Sequence, residues 1–371
     1  MLAEIECETL GRKPVLLAGG DRRQFDKVRP FLKHNYDIFV AEEGWEALDL
    51  AEKHRFFLIV VDSHVQGMGG YALARKLRGQ LQKRRSGLIM IVREEVTKAC
   101  AAVEEGLCDD YILAPYDTGS FLSKFWQLSD LITEMTWDQL PEQQRLFLKR
   151  TKDYFDGISR NVVREGCFEA KAVNDTKAEV INATLNDSIF GILDLLWNYH
   201  QHTYVHSIRS CALMAIMGAA MGFSKDEMSI LAEGGLLHDL GKIQIPKNIL
   251  DKPGALNPKE VELIREHPLW SARFIRDSKG LREEAARVAE RHHERIDGSG
   301  YPYGLRGAEI DELSLVTGIA DVFAAITESV PYRSGRSIGG ALEIMREMRG
   351  KKLEAGLYDK FEEIMQDRFL M

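Results

Sequence analysis

The sequence has little of what marks secreted, membrane-spanning or nucleic-acid-coating proteins. Its five cysteines (Cys7, Cys100, Cys108, Cys167, Cys211) are odd in number, scattered over 371 residues and never spaced C-x-x-C. That excludes a disulfide scaffold and a thiolate metal cluster, and predicts reduced thiols. The longest uncharged run, Ser210 to Ser224, falls short of the roughly 18–20 apolar residues of a membrane span. No basic stretch leads into an apolar run at the start of the chain, so no signal peptide is read and the expected location is cytoplasmic. Positive charge is in deficit: 49 Lys and Arg stand against 57 Asp and Glu, a net charge of −8. Polymeric nucleic acid, whose phosphates are neutralised by Lys and Arg, is therefore an unsuitable partner, whereas a small phosphorylated ligand is not excluded. Repeats and low-complexity tracts are missing, and 45% hydrophobic with 29% charged residues describes a folded chain rather than a disordered one.

What is present divides into two kinds of pattern, and the length suits roughly two or three domains. Over residues 1–125, short apolar runs at Val15–Ala18, Tyr36–Val40, Phe57–Val61, Leu88–Val92 and Asp110–Leu113 alternate with segments long enough for crossover helices. This predicts an α/β domain, a doubly wound five-stranded parallel sheet. Residues 126–173 read as a helical linker, with Leu128, Leu131 and Ile132 at helical spacing and Pro141 as a break. Its amphipathic stripe makes a homodimer contact conceivable. From 174 to 371 no alternating strand pattern occurs. Ile189–Trp197, Ile208–Gly222, Asp226–Leu237, Pro258–Arg276 and Leu281–His293 read as helices, several opening at Asn, Ser or Asp caps, so the second domain is all-α.

The first domain resembles the receiver domain of two-component response regulators. The resemblance rests on Asp62 at the end of the third strand, the following S-H-V-Q-G-M-G-G-Y, and G-L-C-D-D-Y-I-L-A-P running into the fifth. A phosphorylatable receiver is implied to need an acidic pair for Mg²⁺, a Ser or Thr hydroxyl and a Lys before the proline. Here those places read Gly19-Gly20-Asp21, Val92-Arg93 and Ala114. The resemblance thus implies a degenerate receiver that signals through partners. Asp62 is a candidate phosphoacceptor, set against the simpler reading of a carboxylate that ends a buried strand near solvent.

The chemistry concentrates further on. Of ten histidines, His200, His202, His206, His238, His267, His292 and His293 lie between positions 200 and 293. His206, His238-Asp239, His267, His292-His293 and Asp321 offer imidazole nitrogens and carboxylate oxygens without a thiolate, a donor set for two divalent ions such as iron, manganese or zinc. Asp239, adjacent to His238 and central in the series, is the natural bridge. A single helical histidine is more often a satisfied core or surface residue. Adjacent ionisable pairs are harder to explain without something that binds both.

The second domain resembles the HD-GYP subgroup of the HD-domain phosphohydrolases. The resemblance covers roughly Asn182 to Arg336, in the family's order: H-S-I-R-S around His206, L-L-H-D-L-G-K-I-Q-I-P-K-N-I-L from Leu236, D-K-P-G-A-L-N from Asp251, E-H-P after Arg265, H-H-E-R-I-D-G-S-G-Y-P from His292, and A-D-V-F from Ala320. It implies hydrolysis of the bacterial second messenger cyclic di-GMP to pGpG, and onward to GMP, at a centre of two and sometimes three metal ions, iron foremost. It implies Asp239 and Lys242 as catalytic residues. Lys242 would hold a phosphate oxygen, read here as four residues after His238 on one helix face. The loop Asp297, Gly298, Gly300, Tyr301, Pro302 is implied to face substrate or a diguanylate cyclase partner, with Tyr301 offering a ring to guanine and a phenol to phosphate. Asp297 and Glu294 are read as anchors for the histidines, and Arg333 and Arg336 as a basic substrate-binding tail.

Two departures stand out. His202 occupies the place, four residues before the first histidine, where many members carry Glu, so His202 is a further candidate ligand and two metals are favoured over three. Ala324 stands where D-V-F-D is common. Reduced turnover follows as an expectation, and with it two competing readings: a weakly active module that binds cyclic di-GMP or a cyclase, and a phosphohydrolase acting on another nucleotide. The acidic excess further implies that the metal-free chain binds a dianionic ligand poorly.

Overall fold

The computed structural model describes residues 12–369 except 21, 34–35, 82–85, 94–95, 198–203, 251, 253–254 and 329–335. His202 and Arg333 therefore lie outside the described residues. The chain divides into two compact units, with the change between Met135 and Thr136.

In the first unit five strands, β1 (Lys13–Ala18), β2 (Tyr36–Ala41), β3 (Leu58–Asp62), β4 (Gly87–Val92) and β5 (Asp110–Leu113), pair in parallel in the order β2-β1-β3-β4-β5. This is a doubly wound order with its switch point between β1 and β3. Successive side chains of a strand point to opposite faces, and the residues sort accordingly. Leu16, Ile59, Val61, Leu88, Met90 and Val92 pack with α2 (Gly44–Lys53), α3 (Gly70–Leu81) and α4 (Val96–Glu104). Val15, Leu17, Leu58, Val60, Ile89 and Ile91 pack with α1 (Arg29–Leu32) and α5 (Thr118–Thr136). Both faces of β3 and β4 are covered, which is why those strands read as unbroken apolar runs.

The second unit is helical: α6 (Glu142–Glu165), α7 (Lys171–Leu185), α8 (Ile189–Trp197), α9 (Tyr204–Ala220), α10 (Lys225–Leu237), α11 (Lys247–Leu250), α12 (Pro258–Arg265), α13 (His267–Asp277), α14 (Glu283–Arg291), α15 (Glu312–Thr327), α16 (Ile338–Met348) and α17 (Ala355–Phe369). Every residue of α9 from Tyr204 to Gly218 is buried; it is the central helix of the bundle, mostly apolar, with Ser207, Arg209 and Ser210 buried on it beside His206. Ser224 and Glu227 form a capping box that starts α10, Asn257 and Glu260 do the same for α12, and Asp311 caps α15. No described helix is long and apolar enough to cross a membrane.

The sequence pattern suggests one helix over Pro258–Arg276, and the structure corrects this to α12 and α13, broken at Glu266. Pro268 is the cause: it has no N–H for the carbonyl of Ile264, and its ring cannot follow that carbonyl in a continuous helix.

Candidate metal centre

The site is built from helix ends. The last carbonyls of a helix have no partner within it, and three histidines take up such groups. His238 caps α10 and its Nδ1 lies 2.8 Å from the Gly235 carbonyl. His292 caps α14, with Nδ1 2.7 Å from the Ala289 carbonyl. The Ile264 carbonyl, which Pro268 cannot engage, is 2.6 Å from His267 Nδ1. Since a carbonyl only accepts, each Nδ1 donates, and in the neutral form that binds a cation the proton stays there and Nε2 is the bare donor atom.

The structure also corrects the expected helical placement of Lys242. The α-helix stops at Leu237, and Asp239 opens a 3-10 turn, Leu240–Gln244, that carries Lys242. The chain leaves the α-helical path because Gly241 lies against α13, where a Cβ would stand 2.1 Å from the His267 carbonyl oxygen. Lys242 thereby reaches Asp239, its Nζ 2.6 Å from Oδ2.

Seven side chains from five stretches of chain converge. Asp239 Oδ2 is 3.6 Å from His206 Nε2 and 3.6 Å from His238 Nε2, and Asp321 Oδ1 is 3.1 and 3.7 Å from the same two nitrogens. On the other side, Asp239 Oδ1 is 3.2 Å from His267 Nε2 and 3.9 Å from His292 Nε2, while His293 Nδ1 lies 3.5 Å from Asp321 Oδ2. Two triads result, His206–His238–Asp239 and His267–His292–His293, and the two oxygens of Asp239 face one each.

These groups fit cations better than they fit one another. His267 Nε2 and His292 Nε2 are 3.3 Å apart, yet both rings hold their protons on the far nitrogen, so two lone pairs confront each other. Asp239 Oδ1, itself buried without a hydrogen-bond donor among the described residues, adds a third, and His238 Nε2 is likewise buried without a partner among them. Buried polar atoms left so are costly. Two ligand atoms each about 2.1 Å from one ion stand roughly 3.0–3.4 Å apart, close to the closest separations seen here.

The electrostatics divide the histidines of the metal-free site. Burial and the neighbouring imidazoles of His293 and His238 hold the His292 pKa well below its usual value, and burial does the same to His293, so both stay neutral. Burial would lower His206 too, but Glu328, Asp321 and Asp239 outweigh it and push His206 up to about 10. Burial would raise Asp239 and Asp321. For Asp239 the charge of Lys242 outweighs it, and for Asp321 the bond to His206 does, so both carboxyls are held well below the usual range.

Around this centre the structure redistributes several expected roles. Glu294 is buried and accepts from the backbone N–H groups of Tyr303, at 2.7 Å, and Leu305, at 2.9 Å, while Asp297 accepts from Ser299 N at 2.9 Å. Both shape the loop and not the histidines, which use the carbonyls above. Residues 297–302 form turns, with Gly298 at φ 79° and Gly300 pressed against the backbone of residues 293–295, where a Cβ would lie 2.5 Å from three atoms. Pro302 follows Tyr301, whose ring lies on His293 with centroids 4.6 Å apart and has the Arg265 guanidinium 5.3 Å from its centroid. Burial raises the Tyr301 pKa, so the phenol keeps its proton as a donor. Arg336 is exposed, its backbone N–H bonded to the Ile326 carbonyl at 2.9 Å. Sequence reasoning missed Arg265 and also Glu328, whose Oε2 is 3.2 Å from His206 Nδ1. A helical face was the available signal for Glu328, seven residues after Asp321.

In the first unit Asp62 ends the buried strand β3, its side chain covered by the exposed side chains of His64 and Arg93. Arg93 reaches both its oxygens at 3.1 Å, His64 N donates to Oδ1 at 2.7 Å, and Gln24 Nε2 donates to Oδ2. A carboxylate with both oxygens engaged by a forked guanidinium is a poor nucleophile. Acetyl phosphate labelled with ³²P is expected to leave this chain unlabelled; label that disappears on Asp62→Asn would contradict it.

Residues 192–357 match the HD domain family. Over 150 residues the chain is 38% identical to a Pseudomonas aeruginosa protein named cyclic di-GMP phosphodiesterase, covering 40% of this chain and 36% of that one. A Thermotoga maritima protein of the same name is 27% identical over 357 residues, 94% of this chain and 89% of that one. A Vibrio cholerae protein named 3′3′-cGAMP-specific phosphodiesterase 1 is 38% identical over 160 residues, 43% of this chain and 37% of that one. The chain thus spans about a third of the first and third of these relatives and nearly all of the second.

Proposed function

We propose that this chain, whose residues 192–357 match the HD domain family and whose first unit is a five-stranded parallel sheet of receiver-like order, is a metal-dependent phosphodiesterase that hydrolyses cyclic di-GMP. One observation carries the metal part of the reading: the bare Nε2 atoms of His267 and His292, 3.3 Å apart, with the partnerless Asp239 Oδ1 beside them. The resemblance of the motif series and the names of the similar proteins carry the substrate.

His206, His238, Asp239 and Asp321 would hold one ion, and His267, His292, His293 and the second oxygen of Asp239 the other. Imidazole and carboxylate donors suit iron, manganese and zinc, with iron proposed as the native metal. Two such ions supply Lewis acidity to a phosphodiester and offset its charge. The chain's own residues do the rest. Asp239 spans the two halves and fixes their separation. Lys242, 30% exposed at its side chain and bonded to Asp239 Oδ2, exchanges that carboxylate for a phosphate oxygen once the charge on Asp239 is taken up elsewhere. Tyr301, held by His293 and Arg265, keeps a protonated phenol at the edge of the site. One water is consumed as one P–O bond breaks, giving linear pGpG.

Lys242→Gln is expected to lower kcat by about 10²–10³-fold, the usual scale for one transition-state donor, without weakening metal binding, since the lysine competes for Oδ2. An unchanged kcat would remove Lys242 from the reaction. The function itself is tested by incubating the metal-loaded chain with cyclic di-GMP and, in parallel, 3′3′-cGAMP. Conversion of cyclic di-GMP to pGpG is expected. Cleavage of 3′3′-cGAMP alone would replace the substrate, and cleavage of neither would overturn the reading.

A further inference from the structure

We infer that Glu328 is a positioning residue for His206, supplying from α15 the acceptor that the other buried histidines take from their own helix ends. The inference rests on the metal-centre reading above. His238, His267 and His292 each donate Nδ1–H to a carbonyl three residues back, at 2.8, 2.6 and 2.7 Å. His206 Nδ1 makes no such bond to a carbonyl among the described residues.

Its Nδ1, which forms no hydrogen bond among the described residues, instead stands within ion-pair reach, 3.2 Å, of Oε2 of Glu328, the residue that caps the C-terminus of α15. Asp321, two turns earlier on the same helix, stands 3.1 Å from the opposite ring nitrogen, Nε2. Helix α15 thus clamps the imidazole between two carboxylates, one on the ion side and one behind. A buried carboxylate needs compensation, and α9 brings it: Arg209, one turn after His206 and buried, donates to Thr327 Oγ1 at 2.6 Å, and its charge interacts with that of Glu328. A carboxylate behind a ligating imidazole fixes its tautomer and strengthens it as a donor more than a carbonyl does. Glu328 therefore acts on the His206 half of the centre and leaves the His267 half alone.

The test is equilibrium dialysis of the whole chain against Mn²⁺, comparing wild type, Glu328→Gln, Glu328→Ala, His206→Ala and the Glu328→Ala/His206→Ala double variant. Wild type is expected to bind two ions. Glu328→Ala should weaken one of them by about 10–100-fold, the scale for loss of such a partner, and leave the other unchanged. Glu328→Gln keeps an acceptor without the charge and should fall between. The double variant should be no weaker than His206→Ala alone, because residues that act through one another are not additive. Two ions with unaltered affinities in Glu328→Ala, or an additive loss in the double variant, would overturn the inference while leaving the metal centre standing. Should Glu328→Ala fail to fold, Glu328→Gln with both affinities unchanged would overturn it equally. A wild-type chain that binds no Mn²⁺ would overturn the metal centre and this inference with it.

Discussion

Replacing Asp239 by Ala is expected to empty both halves of the centre at once. Its two oxygens face different triads, Oδ2 towards His206 and His238 at 3.6 Å and Oδ1 towards His267 at 3.2 Å. Asp321 also reaches both groups, Oδ1 lying 3.1 Å from His206 Nε2 and Oδ2 3.5 Å from His293 Nδ1, but on the second side it meets one histidine where Asp239 Oδ1 meets His267 and His292. His206→Ala or His267→Ala should each weaken one ion, whereas Asp239→Ala should bring the metal content from two per chain towards none. Metal Lewis acidity is worth several kcal/mol of transition-state stabilisation, so the loss of hydrolysis should be on the order of 10³-fold or more. The fold should survive, because Lys242, released from its 2.6 Å contact, is 30% exposed and can turn to water. Metal analysis and a thermal melt on the same sample check both halves of this expectation. One ion retained at full affinity would mean that Asp239 does not bridge.

The second large effect comes from a residue with no chemistry of its own. A Cβ at Gly241 would lie 2.1 Å from the His267 carbonyl oxygen, 2.9 Å from its carbon and 2.8 Å from Ser271 N. All three are backbone atoms, so no side-chain rotation relieves the clash. The 3-10 turn and α13 must separate, breaking the 2.8 Å bond from Gly241 N to Ser271 Oγ and widening the gap between Asp239 and His267. Overpacking typically costs about 1–3 kcal/mol, and backbone on both sides places Gly241→Ala at the upper end. In a domain of this size that corresponds to a fall of roughly 6–12 °C in Tm. Weakened metal binding on the His267 side should accompany it. A variant as stable as the wild type would show that the turn is not pressed against α13.

How much of this is legible in the sequence differs between the two units. The parallel sheet is visible because β3 and β4, covered on both faces, leave unbroken apolar runs between turn residues. The convergence of His206, His238, Asp239, His267, His292, His293 and Asp321 is suggested by composition and by motif order. Their local geometry is not, because helical periodicity says nothing of where a helix stops. His238 and His292 sit one residue beyond α10 and α14, and a stop set by a tertiary contact, such as Gly241 against His267, leaves no periodic trace. The same reason hides the role of Pro268, which breaks a helix and in doing so leaves the Ile264 carbonyl for His267. Glu328 escapes notice because a single acid at a helix end is common on solvated surfaces, and only its burial beside His206 sets it apart. Asp62 falls at the end of β3 as its pattern predicts, but its engagement by Arg93 depends on two strand ends meeting across the sheet.

The most direct measurement is a titration of the metal-free chain with Mn²⁺, reading bound metal and cyclic di-GMP hydrolysis in the same samples. A centre of two ions joined by Asp239 should bind two equivalents, with pGpG formation rising as the second equivalent is taken up. Hydrolysis that is complete in the metal-free chain, or saturation at one bound ion with full activity, would contradict it.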